Sequence, residues 1–143
     1  MRNAVEKLEI QEAIDAGGKA LESLRHAQEK LRNAKNWGLV DLFGGGLFTD
    51  FMKHSKIKDV KAYLEDAKKE LKIFRRELKD VRICLNLDLE ISDLLKITDF
   101  FFDNPVSDYL VQSKINETRE QVDEAILQVE SILSNLAYAR DYQ

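Results

Sequence analysis

Apolar positions recur along most of this chain in alternating steps of three and four. In the first long segment, about Asn3 to Trp37, Ile10, Ile14, Gly17, Leu21, Leu24, Gln28 and Leu31 share one face at helical periodicity. Alanine recurs beside that stripe at Ala13, Ala20, Ala27 and Ala34, small enough to let a second helix approach closely. Gly17 and Gly18 interrupt the pattern, each costing about 1 kcal/mol relative to alanine in a helix. A tight helix crossing at that point would offset the cost.

Two further segments are more regular. Val60, Leu64, Ala67, Leu71, Phe74, Leu78 and Val81 form one heptad-spaced stripe, and Ile115, Thr118, Val122, Ala125, Val129, Ile132, Leu136 and Ala139 form another. Stripes of that length predict long amphipathic helices with coiled-coil-like packing. Since one apolar face cannot be buried alone, the three helices are expected to pack together, within a monomer or across a dimer. Between the last two, Ile83, Leu85, Leu87, Leu89 and Ile91 alternate with polar or small residues. Period two predicts an extended β segment over residues 82–91, with a helix carrying two apolar faces as the alternative. The expected fold is therefore mainly α, a long-helix bundle in one domain spanning 1–143.

An internal repeat underlies the pattern. Residues 41–57, DLFGGGLFTDFMKHSKI, align without a gap on residues 99–115, DFFFDNPVSDYLVQSKI, at an offset of 58, with six of 17 positions identical. The heptads that follow stay in phase, Val60 falling on Thr118 and Phe74 on Ile132. This divides the chain into repeat units at about 41–81 and 99–140, each an aromatic-rich helical corner leading into a long helix. Gly45 and Gly46 fall opposite Asp103 and Asn104, so the shared requirement is read as backbone geometry. Thr49 and Ser107 are expected N-caps, with Asp50 and Asp108 in the first turn, where a carboxylate is favoured.

The motifs NWGLVDLFGGGLF, KHSKIKDV, FFFDN and VQSKIN also resemble a family of small helical proteins of unknown function from low-GC Gram-positive bacteria. The resemblance covers most of the chain and implies a compact helical protein without bringing an activity. Asn104-Pro105 departs from it, because a glycine and an aliphatic residue are expected there.

Composition fits a folded domain, with 44% hydrophobic and 34% charged residues and one proline. The net charge of −4 is unevenly distributed. Residues 53–82 hold 11 basic and 6 acidic side chains, and residues 83–143 hold 4 and 12. A basic middle and an acidic end can pair with each other or orient a partner. The single cysteine, Cys84, rules out an intrachain disulfide and reads as a small buried hydrophobe. The N-terminus is too charged for a signal peptide and no run of 18 apolar residues exists, which leads to an expected cytoplasmic location.

Candidate chemistry is sparse. The glycines at 44–46 lack the lysine spacing of a phosphate loop. His54 lies four residues after Asp50, so the pair shares a helix face and is a weak metal candidate. A metal site or enzyme would need Asp41, Asp99, Asp103 or Asp108 brought alongside. No cofactor is called for. The stripe of Lys61, Lys68, Lys69, Lys72, Arg75, Arg76, Lys79 and Arg82 is interleaved with Glu65, Asp66, Glu70 and Glu77 and has few aromatics nearby. Glu–Lys pairing is sufficient explanation for it, which makes nucleic acid the less favoured partner. The aromatic corners carry the functional reading: Trp37, Phe43, Phe48, Phe51, Phe101, Phe102 and Tyr109 are the candidate contact residues of a non-enzymatic, self-associating scaffold or protein-interaction module. The runner-up is a peripheral membrane protein that places the same corners in a lipid interface.

Overall fold

The computed structural model describes residues 3–36, 47–85, 87–110 and 114–142. They form four α-helices, α1 (Ala4–Asn36), α2 (Leu47–Leu85), α3 (Asp88–Asp103) and α4 (Ile115–Tyr142), with a short 3-10 turn at Val106–Asp108. Helix α1 starts as its sequence dictates. The backbone N–H of Glu6 donates to Asn3 Oδ1 at 2.8 Å, and Asn3 Nδ2 donates back to the Glu6 carboxylate at 3.4 Å. The cap satisfies one backbone donor that the first helical turn leaves open, and the side-chain bond holds Asn3 in place.

Helix α1 packs against both α2 and α4, while α3 packs against α4 and α2. Both of its long partners run antiparallel to α1. Positions 17 and 26 of α1 meet 74 and 63 of α2, and positions 11, 25 and 28 meet 140, 130 and 123 of α4. The core is one cluster drawn from all four helices.

The heptads of α2 and α4 are buried as their spacing predicts. Val60, Leu64, Ala67, Leu71, Phe74, Leu78 and Val81 form the inner face of α2, and Thr118, Val122, Ala125, Val129, Ile132, Leu136 and Ala139 form that of α4. In α1 the seam is rotated from the expected stripe. Ile10, Ala13, Gly17, Ala20, Leu24, Ala27 and Leu31 are buried, while Ile14, Leu21 and Gln28 flank them half-buried. Ala13, Ala20 and Ala27 thus lie in the seam rather than beside it, because helices at close approach leave no room for larger groups. At Gly17 a Cβ would lie 2.6 Å from Leu133 Cδ2 and 2.7 Å from Phe74 Cε1, so the ring and the leucine occupy the space a side chain would take. At Gly18, exposed one residue on, a Cβ would meet nothing within 4 Å.

Residues 82–91 do not form the expected extended segment. Helix α2 runs to Leu85 and α3 begins at Asp88, and there is no strand among the described residues. Two helical stripes meeting at a tight junction mimic period two. Leu85 extends the α2 stripe four residues beyond Val81, while Leu87, Ile91 and Leu94 open the stripe of α3. A lone strand would leave its backbone groups unpaired, whereas helix satisfies them locally.

The expected caps also differ. Thr49 is the third residue of α2 and Ser107 lies inside the 3-10 turn, so neither begins a long helix. The aligned stretches take different backbones, continuous helix from Leu47 in the first and a turn at Val106–Asp108 in the second.

Candidate functional site

The described aromatic corner joins α3 to α4. Asn104 ends α3 in an extended conformation, its Nδ2 donating to the Phe100 carbonyl at 2.8 Å, and Pro105 prevents the helix from continuing. The 3-10 turn then folds Tyr109 back onto α3. Its hydroxyl donates to the Phe101 carbonyl. Thr118 of α4 donates to the Tyr109 carbonyl at 2.7 Å. Phe101 and Tyr109 meet edge to face with ring centroids 5.7 Å apart, and Phe100 lies 5.3 Å from Tyr109. Burial raises the Tyr109 phenol well above its ordinary pKa, since a phenolate there would lose its hydration. Two cations close the corner from outside: Lys68 Nζ donates to the Asn104 carbonyl at 3.0 Å, and Lys114 donates to the Asn104 side-chain oxygen. The Arg75 guanidinium stands 4.6 Å over the Phe102 ring.

The expected contact residues therefore separate. Phe101 and Tyr109 have no exposed surface and belong to the chain's own core. Phe102 is half-buried under Arg75. Trp37, Phe43 and Asp41 lie outside the described residues. Phe48, Asp50, Phe51 and His54 are on α2, with side chains outside the described set, as is that of Cys84. Asp99 and Asp103 are exposed on α3, and no three potential metal ligands cluster among the described residues.

Three surfaces remain. A small cleft of about 120 Å³ between α1 and α4 is lined by Gln28, Leu31, Arg32, Arg119, Val122 and Asp123. Gln28 donates to Asp123 at 2.7 Å there, and Arg119 Nε is buried with no hydrogen-bond partner among the described residues. The second surface is the end of the molecule where the start of α1 and the end of α4 lie together, joined by Arg140 donating to Gln11 at 3.1 Å. Four large apolar residues are open to solvent at that end: Val5 (65% exposed), Leu8 (59%), Tyr138 (57%) and Tyr142 (76%), the two tyrosine rings meeting at a tilt with centroids 5.2 Å apart. The third is the cationic outer face of α2. Sequence reasoning aimed at the aromatic corners missed the exposed end, although Tyr138 and Tyr142 fall off the α4 heptad and were legible as outward-facing.

No family model matches this chain, and no match was found among curated proteins or solved structures. None of the helices described is long and apolar enough to cross a membrane.

Proposed function

We propose that the protein is a non-enzymatic scaffold or protein-interaction module that associates with copies of itself. The observation that carries this reading is the exposed aromatic pair Tyr138 and Tyr142, at the end of the bundle where Val5 and Leu8 are also open to solvent. Isolated exposed apolar residues are ordinary, but four large ones at one end of a small domain are what an interface supplies. Tyrosine suits that role, since it contributes a large contact area at little entropic cost and keeps a polar tip. The heptad faces are buried within the chain itself, so association uses the end of the bundle rather than its seams.

Sedimentation equilibrium of the wild type and of a Tyr138→Ser/Tyr142→Ser variant tests the proposal. The wild type is expected to sediment above its 16.5 kDa chain mass and the variant at it. Identical monomeric behaviour of both would overturn the reading.

A further inference from the structure

The outer surface of α2 is divided by charge. At 3.6 residues per turn, Lys58, Lys61, Lys69, Lys72, Arg76 and Lys79 fall within a sector of about 80°. Asp59, Asp66, Glu70 and Glu77 fall together on another flank, the one marked by Tyr63, whose ring meets His26 of α1 at 5.1 Å. All six cations of the sector are exposed. None of them takes part in an ion pair or hydrogen bond with any described residue. The helical-spacing Glu–Lys pairs that would neutralise this face are therefore not formed. Glu65 is the one acid inside the sector, and Asp80 borders it. Lys68 and Arg75, on its α3 side, are held by Asn104 and Phe102.

We propose that this face of α2 docks on the phosphate backbone of a double-stranded nucleic acid. From Lys58 to Lys79 the cations run about 32 Å along one straight helix. That narrow line of point charges matches the continuous row of phosphates on a duplex. Between Lys58 and Lys79 the sector has no aromatic side chain, so this stretch offers no stacking platform for single-stranded bases. Among the described residues, Lys58 to Lys79 also present no large apolar side chain to insert into lipid: the exposed ones are on α1, α3 and α4. A second copy is the weaker complement, because exposed Lys–Glu pairs contribute little. Contacts limited to phosphates make the binding sequence-independent. This inference stands apart from self-association, since it uses a different face.

Fluorescence anisotropy with labelled duplex DNA and duplex RNA, over a salt series starting near 50 mM, tests it. Both duplexes are expected to bind. Neutralising about six phosphates gives a slope of log affinity against log salt close to −5, or about 10³-fold weaker binding at 200 mM salt. Lys69→Glu/Arg76→Glu should weaken binding more than about 10-fold and flatten the slope. Lys7→Glu/Lys19→Glu, an equal charge change on α1, should leave it nearly unaltered. Lys69→Gln/Arg76→Gln, which keeps helix-favouring residues, repeats the comparison in case charge reversal perturbs the fold. Absence of duplex binding at low salt would overturn the proposal, as would equal weakening by the α1 and α2 variants. Binding to phosphatidylserine-containing vesicles without duplex binding would also overturn it and assign the face to a membrane.

Discussion

Gly17 and Gly18 permit a test in which the same substitution, one residue apart, has opposite consequences. Both sit inside α1, so replacing either with alanine restores about 1 kcal/mol of helix propensity and reduces the freedom of the unfolded chain. At Gly18 nothing opposes this gain, because the new methyl group enters open space. Gly18→Ala should therefore stabilise the protein by about 0.5–1 kcal/mol. At Gly17 the methyl would lie 2.7 and 2.9 Å from the edge of the Phe74 ring and 2.6 Å from Leu133 Cδ2. Leu133 is half-buried and can turn aside, but Phe74 is fully buried, so its ring can move only by displacing core neighbours. Overpacking of this kind costs about 1–3 kcal/mol. The propensity gain is common to both variants, so their difference isolates the packing cost: Gly17→Ala should be less stable than Gly18→Ala by about 1–3 kcal/mol. In a domain of this size that is a gap of roughly 3–10 °C in Tm. Urea titration followed by far-UV circular dichroism measures it, provided the slopes agree. Equal stabilisation by the two alanines would show that α1 and α2 do not approach closely at Gly17 and would refute the helix register given above.

The aromatic corner makes further predictions. Tyr109→Phe leaves the Phe101 carbonyl without its buried donor and should cost about 1–3 kcal/mol by the same titration. Thr118→Val, which removes the donor to the Tyr109 carbonyl, should cost a similar amount of about 1–3 kcal/mol. The Tyr109 phenol also makes stability depend on alkaline pH. Its pKa is raised in the folded state above the ordinary value of 10.0, so the unfolded chain loses this proton first. Stability is then unaffected by the group below that value and falls as pH rises above it. Wild-type protein should lose more stability than Tyr109→Phe between about pH 9 and 11. Phe74→Ala should cost about 3–5 kcal/mol and unfold the domain at a visibly lower temperature.

The long helices were readable because burial and periodicity coincide in them: every expected seam position from Val60 to Val81, and from Thr118 to Ala139, is buried. In α1 the two signals diverge. A search for large apolar residues selects Ile14 and Leu21, whereas the close approach of two partners selects Ala13, Ala20 and Gly17. Size at a helix crossing is a property of the pair, so one chain segment read alone could not reveal it. The junction at 85–88 misled for a related reason, since two stripes with different phases look like alternation when they abut. Tyr109 was identified as an aromatic of the corner, but its inward direction depends on Pro105 ending α3 and on Thr118, nine residues further on, donating to its carbonyl. The charge division on α2 is present in the sequence at 100° per residue, and what the structure adds is that its cations stay unpaired. That the exposed Tyr138 and Tyr142 share an end with Val5 and Leu8 depends on the start of α1 lying beside the end of α4, which no local pattern states.

Self-association through that end is the central claim, and light scattering across a micromolar concentration series tests it most directly. The account predicts a mass that rises with concentration above 16.5 kDa and returns to the single-chain value when Tyr138 and Tyr142 are changed to serine. A strict monomer across the whole series would contradict it.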